Sequence, residues 1–127
     1  MLGDKSAVAT LAVKDLAAAK KFYEDKLGLA PQGGEDGGGQ IYKSGDSMIF
    51  VYESQFAGTN KATAVSFGVG NDLDKIVEGL ASKGVEFEQY DNIPEVKREG
   101  NIHVSGKMRA AWFKDPDDNI INLVNQM

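Results

Sequence analysis

The chain repeats itself, and this limits the fold more than any other feature of its 127 residues. Val8 and Ala64, Val13 and Val69, and Gly28 and Gly84 stand 56 positions apart. Gly45 and Asp117, Ile49 and Ile121, and Val51 and Leu123 stand 72 apart. The difference, 72 − 56 = 16 residues, measures an insertion in the second half, at about 89–106. A strand, a cap, a helical face and a stop glycine that recur in order mark a duplicated supersecondary unit.

Each unit reads as β-α-β-β-β. Residues 6–13 are small and β-branched, as a buried strand requires. Asp15 stands at an N-cap, where its carboxylate accepts the free amides of a first helical turn. Leu16, Ala19, Phe22, Tyr23 and Leu27 share one face of that helix, and Gly28 ends it. Residues 33–39 form a glycine-rich loop or loose hairpin connection. Strands at about 40–44 and 47–53 follow, joined by a turn at Ser44-Gly45-Asp46. A linker at about 55–61 separates module one (about 6–54) from module two (about 62–125). In module two, a strand at 63–69 leads to a helix capped by Asn71 or Asp72. That helix has Leu73, Ile76, Val77 and Leu80 on one face and stops at Gly84. A strand begins at Val85-Glu86-Phe87, and the last two strands fall at 107–114 and 119–125.

Composition removes several functions. Cysteine is absent, which excludes a disulfide scaffold, a zinc finger and a thiol nucleophile. One histidine, His103, excludes any site built on two imidazoles. A net charge of −5 argues against nucleic acid, whose partners carry a basic face. No apolar run reaches the ~20 residues of a membrane span, and residues 1–5 lack the apolar stretch of a signal peptide. A cytoplasmic domain of 1–127 is the expectation.

Val13-Lys14-Asp15-Leu16, Lys21-Phe22-Tyr23 and Leu27-Gly28-Leu29 resemble the opening strand-helix signature of the vicinal oxygen chelate superfamily. This is the superfamily of glyoxalases, bleomycin-resistance proteins and extradiol dioxygenases. Phe113-Lys114-Asp115-Pro116-Asp117-Asp118-Asn119 resembles its closing turn, with Asp118 where glycine is usual. Asp tolerates left-handed backbone better than most residues, so the turn survives. The resemblance spans about residues 6–125. It implies an α+β fold in which two tandem βαβββ modules form a curved, open barrel-like mixed sheet with a cleft, and it implies a homodimer. It also implies where a metal would be held, at positions that fall here on Val8, Phe50, Ala64 and Asn122. Three of these side chains offer no donor, and a lone neutral amide does not hold a divalent ion. The expectation is therefore no metal, no cofactor and no catalytic residue, in the manner of the bleomycin-resistance branch.

Strand alternation, phased on those positions, puts Thr10, Met48, Phe50, Tyr52 and Asn122 on the cleft wall. The repeat adds Gln40 with Trp112 and Tyr42 with Lys114. Phe50, Trp112, Asn122, Tyr42, Tyr52, Met48, Gln40 and Thr10 are thus the candidate ligand contacts. Rings with sparse polar groups suit a small-molecule pocket, and the same rings also suit a plain core. His103 lies in the insertion among Lys97, Arg98, Lys107 and Arg109, as a solvated loop residue or as part of a basic lid. The run 115–119 lacks the glycine and the closing Glu of a calcium loop. The glycines of 33–39 match no phosphate-binding pattern.

Three functions follow from this reading. The first is a metal-free protein that binds a planar or apolar ligand, with antibiotics among the candidates. The second is a divergent enzyme of glyoxalase or lyase type, acting either with a metal at an unexpected place or through Tyr42, Tyr52 or His103 alone. The third is a scaffold whose cleft has closed.

Overall fold

The computed structural model describes residues 1–36 and 39–126; Gly37 and Gly38, inside the expected glycine loop, lie outside the described residues. Module one comprises β1 (Ala9–Val13), α1 (Leu16–Lys20), β2 (Ala30–Asp36), β3 (Gly39–Ser44) and β4 (Ser47–Glu53). Module two comprises β5 (Thr63–Gly68), α2 (Leu73–Ser82), β6 (Lys97–Glu99), β7 (Ile102–Ser105), β8 (Met108–Lys114) and β9 (Ile120–Val124). The sheet orders are β1-β4-β3-β2 and β5-β9-β8-β7-β6. In each, the first strand runs parallel to the last and the other pairs are antiparallel. The fold is the α+β duplication that the repeat requires. Among the described residues no helix is long and apolar enough to cross a membrane.

Both helices lie on one side and share one core. Leu11, Val13, Ile49 and Val51 from the first sheet meet Ala111, Phe113, Ile121 and Leu123 from the second. Leu16, Ala19, Phe22 and Tyr23 of the first helical segment and Leu73, Val77 and Leu80 of α2 close over them. Asp15 caps α1 by accepting from the amides of Ala17 and Ala18. The helix then widens into a π-helical segment over Lys21–Lys26. This lets the adjacent rings of Phe22 and Tyr23 both enter the core, edge to face at 5.3 Å. The expected cap on α2 differs: Gly70–Asp72 form a 3-10 turn, and Asp72 makes no side-chain capping bond.

The two motifs of the sequence bond to each other. Tyr23 Oη donates to Asp115 Oδ2 at 2.7 Å. Asp115 Oδ1 accepts from the amides of Asp117 and Asn119. Asn119 Nδ2 donates both to Asp115 and to the Ala12 carbonyl. Asp118 takes the left-handed conformation at φ 65 that the turn needs. This buried clasp joins the modules across 92 residues of sequence. Burial raises the Asp115 carboxyl above its ordinary range, with its hydrogen bonds opposing the shift. Burial and the facing Asp115 raise the Tyr23 phenol strongly.

Several elements differ from expectation. The first strand begins at Ala9 rather than residue 6. β2 runs as paired strand to Asp36, with a register shift between Gln32 and Asp36, where a loop was expected from residue 33. Val85-Glu86-Phe87 contributes a single bridge, Phe87 to Phe113, instead of a strand. The 89–106 segment holds the β6-β7 hairpin and is not one long loop. The strand beside β8 is thus split. Phe87 and Glu88 pair with its far end, an excursion follows, and the chain returns as β7 against its near end.

Candidate functional site

Each sheet has a second face, turned away from the helices, and the register assigns its residues. In module one Thr10 pairs with Phe50 and Ile41 with Phe50, while Gly39 and Ala12 flank Tyr52. In module two Ser66 and Trp112 both pair with Asn122. Thr10–Phe50 and Ser66–Asn122 are therefore repeat-mates in identical register.

Gln40 and Tyr42 do not belong to this face. Tyr42 pairs with Ile49 while Phe113 pairs with Ile121, so the β8-β9 connection is one residue longer than the β3-β4 connection. One residue inverts a strand's faces, so Tyr42 corresponds to Phe113 rather than Lys114. Tyr42 is fully buried against Tyr23, with its hydroxyl donating to Glu24 at 2.8 Å. Gln40 is buried too; its amide donates to the carbonyls of Gln32, Gly33 and Ile41, holding the irregular stretch of β2. Ala64 also leaves the regular phase, because β5 shifts register there and Ala64 packs on the core.

The module-one face is apolar and open. Met48, Ile41 and Val8 are exposed, and Phe50 and Tyr52 are half-buried. The Phe50 ring stacks parallel on Tyr52 at 5.7 Å and lies over Gly39, where any Cβ would collide with it. A shallow pocket of about 430 Å³ remains beside it, lined by Val8, Thr10, Gly34, Gly39, Ile41 and Phe50.

The module-two face is covered by the excursion. His103 is not a solvated loop residue; it is 1% exposed on β7 and pairs with Ala110. Its Nε2 accepts from the Tyr90 amide at 2.9 Å, which pins the excursion to the sheet. A neutral imidazole that accepts at Nε2 carries its proton on Nδ1, and that buried nitrogen has no hydrogen-bond partner among the described residues. His103, Tyr90 and Trp112 form a three-ring cluster with centroids 5.0–5.6 Å apart. A basic lid is not what the surrounding cations form. Arg98 pairs with Asp91 and Arg109 with Asp74, each at 2.7 Å.

Trp112 and Tyr90 wall a pocket of about 310 Å³, completed by Ile93, Ile120, Thr63, Ala62 and Lys61. Phe50 and Trp112 thus line separate pockets and are not brought into one cleft. Asn122 is buried beside Trp112, its amide donating to the carbonyls of Ala111 and Leu123. Burial, then Glu88, raises the Tyr90 phenol, with Lys114 opposing, so Tyr90 is a neutral hydroxyl near pH 7. Tyr90 and Lys61 were not among the candidates. Neither is marked locally, since both reach the pocket only once the excursion and the linker fold over β8 and β9.

A family model for the Glyoxalase/Bleomycin resistance protein/Dioxygenase superfamily matches residues 5–123. The chain belongs to this superfamily. Solved relatives in the superfamily's fold include the fosfomycin resistance protein FosX from Listeria monocytogenes complexed with Mn(II) and sulfate, with 20% identity, 98% and 91% coverage of the two chains and TM-score 0.73. FosX from Mesorhizobium loti is 13% identical, with 98% and 93% coverage and TM-score 0.70. Lactoylglutathione lyase from Agrobacterium tumefaciens is 18% identical, with 96% and 94% coverage and TM-score 0.69. At these identities the likeness is one of fold. No curated protein matches the chain.

A divalent ion does not fit the superfamily's ligand positions in this chain. Val8, Phe50 and Ala64 bring no donor atom, and the Asn122 carbonyl oxygen alone is a single neutral ligand, too little to hold a divalent ion. Among the described residues no group of three or more His, Cys, Asp or Glu side chains could hold an ion.

Proposed function

We propose that this superfamily member binds a small planar or partly apolar molecule without a metal, in the module-two pocket beside Trp112. The observation that carries the reading is the pair of rings, Trp112 and Tyr90, meeting at 70° on the wall of a 310 Å³ space. Flat, rigid rings supply contact area at little entropic cost, and sparse polar groups orient the guest. Phe50, Tyr52, Met48 and Thr10 form a separate apolar face, and we propose that a second copy of the chain covers it in a homodimer. The exposed Val8, Ile41 and Met48 support that role. Cytoplasmic residence is part of the same proposal.

Trp112 is the sole tryptophan, so selectively excited tryptophan emission reads this pocket. A panel of planar heteroaromatics, together with fosfomycin, should contain a compound that quenches it and raises the melting temperature. A ligand at 100 times its Kd stabilises by about 2.7 kcal/mol, well within measurement. No response across the panel sinks the binding reading. Stoichiometric metal found by elemental analysis of protein purified without chelator sinks its metal-free part.

A further inference from the structure

We infer that the pocket beside Trp112 is selective for planar organic monoanions, an aromatic ring bearing one carboxylate, with Lys61 as the charge partner. This rests on the reading above and specifies its ligand.

Lys61 is the one charged residue on a wall otherwise made of Trp112, Tyr90, Ile93, Ile120, Ala62 and Thr63. Three other cations of module two are occupied. Lys114 sits 3.1 Å from Glu88, and Arg98 and Arg109 hold Asp91 and Asp74. Lys61 has no ion pair or side-chain hydrogen bond among the described residues. It lies two residues before β5, where Asn60 Oδ1 accepts the Ala62 amide and sets the course of the linker. An unpaired ammonium at the rim of a ring-walled pocket attracts an anion and repels the cations that aromatic faces otherwise attract.

The adjoining hollow shares Lys61, Tyr90 and Ile120 and adds Glu88, Lys114 and Asp118. Its acids are directed first to Lys114, whose ammonium Glu88 chiefly and Asp118 secondarily raise. Tyr90 stays protonated and adds no competing charge. The Thr63 hydroxyl offers a donor beside the same wall. Apolar rings, a free cation and the hydroxyls of Thr63 and Tyr90 match a flat hydrophobic body with a single anionic end.

The test compares naphthoate with naphthamide, which share shape but differ by one charge, by calorimetric titration of the intact protein. Naphthoate should bind about tenfold more tightly, the order expected for a hydrogen bond to a charged group. Lys61→Met should bring that ratio to about one. Raising salt to about 1 M, where the Debye length is about 3 Å, should compress the ratio in the wild type alone. Equal affinities in the wild type, or a ratio untouched by Lys61→Met, overturn the anion selectivity and leave the pocket standing. Failure of both compounds to bind overturns the selectivity together with the pocket reading.

Discussion

Thr10 and Phe50 in module one stand where Ser66 and Asn122 stand in module two, yet one face is bare and the other roofed. In the first, β2 runs along β3 and leaves Ile41 and Met48 in solvent. In the second, the matching strand breaks after Glu88 and returns only at Ile102. The intervening excursion folds back onto the sheet through Tyr90, which bonds His103 and packs on Trp112, and Ala110, Asn122 and Val124 on this face are buried. One insertion at one strand therefore turns two equivalent surfaces into an open apolar patch and a ring-walled pocket. The frame itself does not change. Duplication sets where a cleft face lies, and the excursion decides what that face can hold.

The same asymmetry governs the turns, and there the largest effect is expected. Asp115 accepts from the Tyr23 hydroxyl, two amides and the Asn119 side chain, while Asp46 lies exposed in the corresponding turn of module one. Asp115→Ala should cost roughly 3 kcal/mol or more in urea unfolding, because it strands several buried donors. Asp46→Ala should stay within about 0.5 kcal/mol. Similar costs for the two would break the claim that only one turn is a clasp. The pH dependence has a definite sign. Asp115 is raised in the folded state, so the native protein binds the proton more tightly than the unfolded chain. Its contribution is fully present below the unfolded carboxyl pKa of about 3.9 and declines as pH rises through the folded value. The gap between wild type and Asp115→Ala should therefore narrow on going from acid towards neutral pH.

Much of the frame was legible because it is local. Asp15, the face of α2, Gly28 and Gly84 follow from spacing within one element, the left-handed Asp118 follows from the resemblance of the closing turn, and each is found in place. What was not legible depends on counts between elements. A connection one residue longer between β8 and β9 inverted the inferred faces of Gln40 and Tyr42, and no property of either side chain reveals that. The burial of His103 needs the pairing of β7 with β8. Lys61 reads as linker because the apolar and aromatic side chains it joins in the pocket, from Tyr90 to Ile120, are 29 to 59 positions further along the chain.

The roof offers the next test. His103 holds the Tyr90 amide and packs edge-on to Trp112 at 5.0 Å. His103→Ala should cost about 2 kcal/mol, combining a lost buried contact with an unsatisfied amide. It should also shift Trp112 emission to the red, as the excursion loosens and water reaches the ring. Unchanged emission in a destabilised variant would mean that the roof is held elsewhere and that the contrast between the faces does not depend on this bond.

The smallest effect tests whether the bare face is as unconstrained as its exposure suggests. Phe50 is half-buried, and its ring occupies the space above Gly39 that a Cβ would fill. Gly39→Ala must displace that ring, losing its stack on Tyr52, for a cost of about 1 kcal/mol. In a Phe50→Ala background the obstacle is gone, and only the Val51 carbonyl, 3.2 Å from the new Cβ, remains close. There the alanine also restricts the unfolded chain, which favours folding by a few tenths of a kcal/mol or more. The penalty should then fall to about 0.5 kcal/mol or less, a coupling that a double-mutant cycle resolves. Trp112 emission should stay constant throughout, because Phe50 and Trp112 line different pockets. Were it to move with Phe50, the two faces would be one coupled site, and the division between an open apolar surface and a roofed pocket would not hold.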